Sequence, residues 1–491
     1  MSDSPLDRDV VNNKHILVTG AGGYIGGRLV PMLLKTGYQV RCLARDPARL
    51  QGRFDNAEIV AGDLLDEKSL QTTFNDVNTA FYLVHSMSAV QRDFAESDRA
   101  AARIFARAAA AAGVRRIIYL GGLGAEKDRL SSHLRSRHEV GEILREAGIP
   151  VTEFRAAIIV GSGSVSFEMV RYLTERLPVM IAPRWVNTRC QPIAVADVLS
   201  YLITELTMER TESIIYEIGG ADTLSYREMM LRYAAIRGLR RALIVVPFFT
   251  PRLSSAWVHL VTPISASYAR PLIDGLRNEV IVHDKRATID FPFSPIGYDE
   301  AVRRALDRYQ GDGPQTTWFD ARSAPMPIGT FSGSEEGMLV DRRELATNAS
   351  QEHLFRVFTS LGGQRGWLYA NYLWNVRGLL DRIIGGVGLR RGRRSSTTLR
   401  AGDALDFWRV EAYEPDLLLR LRAEMRLPGA AWLQFEALPA GEAGGSTFRQ
   451  TAFFDPRGLF GYLYWYTLSP LHAVLFGTMA KRIAEEAERV S

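Results

Sequence analysis

Three glycines, Gly20, Gly23 and Gly26, constrain this chain more than any other feature of it. They close a short apolar run, Ile16-Leu17-Val18-Thr19, and open an amphipathic one from Tyr24 to Lys35. Strand, tight turn and helix, in that order, are the context in which this spacing binds a dinucleotide. Gly20 then permits the turn, Gly23 lets the backbone approach a pyrophosphate, and Gly26 lets the helix pack close to the strand. The helix N-terminus offers unpaired N–H groups and a partial positive charge to the phosphates. The cofactor-facing residues of this stretch are Thr19, Gly20, Gly22, Gly23, Tyr24, Ile25 and Gly26.

Further apolar runs at 39–44, 58–61, 79–84, 115–120 and 151–156 alternate with helical patterns. Such alternation predicts an α/β fold, a parallel sheet with helices on both faces. Ligands of these folds lie at the carboxyl ends of the strands. Arg45 stands just past the second strand, where the adenosine ribose is read. An acidic side chain there suits a free 2′-hydroxyl and an arginine a 2′-phosphate, so Arg45 favours NADP over NAD. Asp46 beside it can blur that preference, and the alternative to the phosphate role is a solvated loop arginine. Asp63, in Gly62-Asp63-Leu64, either accepts from the adenine amino group or caps a helix over 66–74. Leu64, Val84 and His85 lie at the same strand ends and complete the cofactor set.

With these residues the chain resembles the short-chain dehydrogenase/reductase superfamily, in its atypical, extended branch. The likeness rests on Thr19-Gly20-x-x-Gly23-x-x-Gly26, Gly62-Asp63-Leu64, Tyr82-Leu83-Val84-His85 and Gln191-Pro192-Ile193-Ala194-Val195-Ala196-Asp197-Val198. It looks like the NmrA-like regulators and the nucleotide-binding accessory subunit of respiratory complex I. Over residues 14–310 the resemblance implies a Rossmann-like, doubly wound parallel sheet with a small substrate subdomain. In active members a serine follows the fifth strand, and a Tyr-x-x-x-Lys pair lies on the next helix. The tyrosine donates the proton; the lysine lowers its pKa and holds the ribose. Here Gly121-Gly122 stands where the serine would fall. With Arg137 at the lysine position, His133 takes the tyrosine position. Arg137 can hold a ribose hydroxyl or a phosphate but keeps its proton. His133 can donate a proton near neutral pH, or it is a surface or capping residue without chemistry. His133 and Arg137 are thus the candidate catalytic residues, and the usual Ser/Tyr/Lys set is absent.

Residues 178–185 and 214–249 mix short elements that the resemblance assigns to the substrate subdomain, with Trp185, Phe248, Phe249, Trp257 and Tyr268 as pocket or core. A strand over 278–282 and a closing helix over 298–309 follow. Gln310-Gly311-Asp312-Gly313-Pro314 reads as a linker. The expected organisation is a disordered tail over 1–13, a dinucleotide-binding domain over 14–312 and a second domain over 315–491.

The second domain reads as a strand over 337–345, a helix capped by Ser350, a helix over 367–380, four period-two strands between 405 and 453, and a last helix over 459–490. That order resembles the helix-grip cup of START and polyketide-cyclase-like proteins, an α+β fold. The whole chain also looks like bacterial fusions of an atypical short-chain dehydrogenase to a domain of unknown function, through residues 403–411 and 454–459. A gripped cup commonly encloses an apolar cavity. Trp374, Trp408, Trp432 and Trp465 either wall it or form plain core.

Composition narrows the partners. The 491 residues are 46% hydrophobic and 23% charged, as in globular proteins. A net charge of +5 is small for this length and does not argue for nucleic acid. Cys42 and Cys190 form no disulfide framework or metal spacing, and the first 14 residues form no signal peptide, so a reducing cytoplasm is expected. No charged residue occurs between Arg457 and Lys481; Pro470 and scattered polar residues favour a buried helix over a membrane span, with peripheral membrane contact through the C-terminal helix left open. Arg390-Arg391-Gly392-Arg393-Arg394 is a solvated loop or a site for anionic lipid or phosphate. The expectation is an atypical NADP(H)-dependent oxidoreductase acting on an apolar or aromatic carbonyl or quinone-like molecule. The alternative is an NADP(H)-binding redox sensor or assembly protein without turnover.

Overall fold

The computed structural model describes residues 15–84 apart from 48–49, 51–52 and 55, then 94–124, 130–246, 262, 273–307, 330–335, 338–363, 365–383, 388, 399–439 and 445–490. His85, Phe248, Phe249, Trp257, Tyr268, the tail, the linker and the arginine run at 390–394 lie outside these residues. The chain divides into two compact units, Met1–Thr174 with Pro178–Ala324, and Pro325–Ser491 with Glu175–Leu177.

The first unit is built on seven parallel strands. β1 (His15–Thr19), β2 (Val40–Ala44), β3 (Glu58–Ala61), β4 (Val77–Tyr82), β5 (Arg116–Gly122) and β6 (Val151–Ala156) are joined by β8 (Ile214–Ile218) in the order β8-β6-β5-β4-β1-β2-β3. Helices α1 (Gly26–Lys35), α2 (Glu67–Leu70), α3 (Phe94–Ala111), α4 (Ser132–Arg145), α5 (Val165–Arg176) and α6 (Val195–Thr204) connect or cover them. Strands buried on both faces must be apolar on both. Ile16 and Val18 of β1 accordingly pack with Leu29 and Leu33 of α1 and Val198 of α6, while Leu17 packs with Phe105 of α3 and Leu144 of α4. The chain order reverses between β1 and β4, which opens a crevice at the carboxyl edge.

Three sequence expectations change here. Residues 214–218 join the main sheet as β8, pairing in parallel with β6, instead of belonging to the small subdomain. Residues 278–282 form no strand: Val280 makes one isolated bridge to Cys190, and the Val282 N–H donates to the Gln191 side chain at 3.0 Å. The helix expected over 66–74 shrinks to α2, capped by Asp66. The subdomain itself contains β7 (Val179–Pro183) paired with β9 (Ala242–Val246), and α7 (Tyr226–Ile236), started by a Ser225/Glu228 capping box. A closing helix, α8 (Tyr298–Asp307), ends the described part of the unit.

The second unit is a seven-stranded antiparallel sheet in the order β10-β11-β16-β15-β14-β13-β12. Its strands are β10 (Thr330–Glu335), β11 (Met338–Thr347), β12 (Ala404–Leu405), β13 (Trp408–Glu414), β14 (Leu418–Ala423), β15 (Gly429–Pro439) and β16 (Ser446–Pro456). Alternation sets the faces: Leu419 and Leu421 are buried between outward Arg420 and Arg422. Helices α9 (Gln351–Thr359), α10 (Asn371–Ile383) and α11 (Gly458–Val490) complete the unit. Ser350 caps α9 as expected, its Oγ accepting from the His353 N–H at 3.2 Å. Phe358 of α9 stacks on Phe435 and Phe448 of the sheet. α11 runs unbroken through Pro470 for 33 residues. Trp374, Trp408 and Trp465 pack among Trp367, Phe407, Phe454 and Phe476. Trp432 faces the other side of the sheet from Leu433 and donates to Glu411, so the four tryptophans do not wall one space. Among the described residues no helix is long and apolar enough to cross a membrane.

Candidate active site

The glycine turn is held by contacts that only hydrogen atoms permit. Gly20 has φ +73°, and a Cβ there would lie 2.8 Å from the Leu83 carbonyl oxygen. A Cβ on Gly26 would overlap the Gly20 carbonyl. The Gly23 N–H closes the turn on that same carbonyl at 2.9 Å. A Cβ on Gly22 meets only ordinary van der Waals distances, so this position does not demand glycine. The turn is also locked from below. The Thr19 hydroxyl donates to the Phe81 carbonyl at 2.9 Å and accepts from the Leu83 N–H, which ties β1 to the end of β4 and spends that side chain on the frame. Buried Arg28 of α1 donates to the Tyr24 carbonyl at 3.1 Å and the Ser162 carbonyl at 2.8 Å, with its guanidinium 4.1 Å above the Tyr24 ring. Arg28 thereby joins the glycine turn to the 161–164 turn, a tie that the sequence did not suggest.

Beyond the turn lies a cavity of about 310 Å³. Gly20, Gly23, Tyr24, Ile25 and Gly26 form one end of it, and His133 and Arg137 share a wall with Leu120 and Gly122. Its far end is apolar: Met169, Val170, Leu173, Trp185, Tyr226 and Met230. His133 and Arg137, four apart on α4, fall on one face of the helix, as the i,i+4 spacing requires. Arg137 donates to the Leu120 carbonyl, and its guanidinium stands 6.0 Å from the centre of the Tyr119 ring. Its buried Nε–H has no acceptor among the described residues. The start of α4 is fixed by Ser131, which caps the helix through its side chain and donates its N–H to the Asn278 side-chain oxygen at 3.1 Å.

No serine side chain would find ready room beside this pair. A Cβ on Gly122 would sit 2.9 Å from Leu134 and 3.4 Å from Arg137. Nor do the nearby tyrosines stand in for the missing proton donor. Burial holds the Tyr226 hydroxyl well above the usual phenol range, and it is hydrogen-bonded with the Cys190 thiol. Burial pushes Tyr119 up to about 12, and its hydroxyl donates to the Arg137 carbonyl at 2.9 Å. Both cysteines are buried with thiols pushed up to about 12, which keeps them unreactive.

The other sequence-derived residues lie outside the cavity wall. Arg45 is exposed directly past β2, and Asp63 follows β3, its neighbour in the sheet. Asp63 accepts from the Leu65 N–H at 3.0 Å, while Asp66 takes the capping role weighed for Asp63. Leu64 is core, and Val84 packs against that core. The Gln191–Asp197 stretch is a clamp: Gln191 holds Gly220 and Val282, and Asp197 accepts from the Ile296 N–H at 2.9 Å. A turn that a Cβ would fill and a helix N-terminus behind it together fit a dinucleotide.

Residues 12–230 match the NmrA-like family. Residues 335–479 match a family described as a protein of unknown function, DUF2867. A (4-alkanoyl-5-oxo-2,5-dihydrofuran-3-yl)methyl phosphate reductase of Streptomyces griseus is 28% identical over 231 residues, 45% of this chain and 74% of that protein. Cinnamoyl-CoA reductase 2 of Arabidopsis thaliana is 32% identical over 124 residues, 24% of this chain and 37% of that protein. The chain therefore spans little more than a third of the plant reductase's length. The triphenylmethane reductase of Citrobacter sp., solved with NADP(H), is similar at a TM-score of 0.50 and 20% identity, covering 59% of this chain and 100% of that one. That is a likeness of fold.

Proposed function

We propose that the protein is an NADP(H)-dependent reductase of an apolar or aromatic carbonyl or quinone-like molecule. The observation that carries this reading is the single cavity joining the glycine turn, the His133/Arg137 wall and an apolar far end. NADPH, when bound, supplies a hydride. Gly20, Gly23 and Gly26 admit the pyrophosphate, Arg45 meets the 2′-phosphate, and Asp63 reads the adenine through the carboxylate oxygen that Leu65 does not use. Arg137 holds the ribose through its donors. His133 hands a proton to the developing oxyanion and recovers it from solvent. Trp185, Met169 and Met230 exclude water from the apolar end and orient a flat substrate.

A second reading, nucleotide sensing without turnover, draws on the crowding at Gly122, where Leu134 and Arg137 take the space of a catalytic serine. One experiment separates them. NADPH and NADH are titrated by fluorescence, and NADPH oxidation is then followed with quinones and aromatic carbonyls. Tight NADPH binding with oxidation that His133→Ala abolishes supports the reductase. Tight binding without oxidation across the panel favours the sensor. Weak binding of both nucleotides overturns the two readings together.

A further inference from the structure

We infer that the second unit carries a docking surface for an anionic lipid bilayer, formed by α10 and the first half of α11. This inference is independent of the reductase reading.

Helix α10 is inside out. Its inward stripe is Trp374, Gly378 and Asp381, and Asp381 is only 1% exposed. The Asp381 carboxylate accepts from the Arg426 N–H at 2.7 Å and the Gly388 N–H at 2.8 Å. The outward stripe is Tyr372, Val376, Leu379, Leu380 and Ile383, with Tyr372 68% and Ile383 72% exposed. An ordinary surface helix buries such a stripe and exposes its acid. Here the only acid of the helix is satisfied inside and the apolar side chains face out.

Helix α11 repeats the pattern in its first half. Leu459, Phe460, Leu463, Tyr466, Leu471 and Val474 are exposed, Phe460 at 79%. No charged residue interrupts them, and the exposed face turns charged at Lys481 and Arg482. The two helices are neighbours, for the Trp374 and Phe476 rings lie 6.4 Å apart. Of the eighteen large apolar residues exposed among the described residues, eleven lie on these two helices. Concentration of this kind marks an interaction surface.

Charge selects the partner. From Arg382, in the last turn of α10, to Gly402 the sequence holds six arginines and no acid. Arg457 is exposed at the start of α11. A second copy of this chain would carry the same arginine-rich sequence, whereas anionic headgroups neutralise it. Aromatic side chains at the edge of an apolar stripe also suit the headgroup boundary, where an amphipathic helix lies flat without crossing.

The test is co-sedimentation of the full chain with phosphatidylcholine vesicles, with and without phosphatidylglycerol, alongside light scattering. The native chain is expected to sediment with the anionic vesicles and to do so at least about fivefold less with neutral ones. Phe460→Glu with Leu463→Glu, and separately Val376→Glu with Leu380→Glu, should each lower vesicle binding about tenfold, with NADPH binding and thermal melting unchanged. All four positions are exposed, so these variants keep the core. Failure to sediment with either vesicle overturns the inference, as does sedimentation that neither double variant reduces. A dimer that the same variants dissolve, with no vesicle binding, assigns the surface to a second copy instead.

Discussion

The two ends of the cavity are built by different means. The nucleotide end is backbone: one turn of seven residues whose shape is set by the absence of side chains at Gly20, Gly23 and Gly26. The apolar end is side chain, gathered from α5, the 184–187 turn and α7. At Gly20 and Gly26 this backbone has no room for an added side chain. A side-chain wall can change by single substitutions while its frame stays fixed, so specificity is free to vary there.

The sharpest way to break this comparison is Gly26→Val. The added atoms overlap the Gly20 carbonyl, so NADPH binding should be lost, with stability lower by about 1–3 kcal/mol in a denaturant melt. Binding that survives would mean that the turn does not depend on that close approach. Next in size is His133→Ala, on the wall between the two ends. It should lower turnover about 10²-fold, as loss of a general acid does, with the NADPH dissociation constant changed little. Arg45→Ala should weaken NADPH about tenfold and leave NADH unchanged, measured by paired fluorescence titrations. Equal loss for both would remove the 2′-phosphate role. At the far end, Met230→Ala should raise KM several-fold for apolar substrates, of the order expected for a few missing methylenes, without altering NADPH binding.

The smallest effect lies away from both ends. His472 of α11 is pushed down to about 4 by burial, against about 6.5 in an unfolded chain. Between those values the unfolded state binds more protons, so stability is fully present above about pH 6.5 and falls as pH drops towards about 4. His472→Phe should flatten the melting temperature over that window while leaving the cavity's nucleotide affinity as it was.

The nucleotide end was legible because its signal is local. Gly20 through Gly26, with a strand before and a helix after, carry the turn in eleven consecutive residues, and β3 and β6 fall at the expected positions. The pairing of His133 with Arg137 was legible from helical spacing once the helix was placed. Arg28 was not, because a buried arginine in a helix reads as solvated until the Ser162 carbonyl is brought beside it by contacts 134 residues apart. Tyr226 and Met230 were missed for the same reason: an apolar position on α7 looks the same whether it meets core or cavity. Residues 214–218 misled because parallel pairing with β6 is a long-range choice that strand propensity does not encode. The four tryptophans failed as a group because they were read without the sheet register, which turns Trp432 away from the helix side.

Pro470 gives α11 a property that its continuity conceals. Proline has no N–H, so the Tyr466 carbonyl loses its donor four residues on, and the ring crowds the preceding turn. A rod of 33 residues, roughly 50 Å long, thus lacks one rung of its hydrogen-bond ladder near its middle. Packing holds the helix on both sides of that gap: Trp465 stacks on Phe454 of the sheet before the proline, and His472 stacks on Phe476 after it.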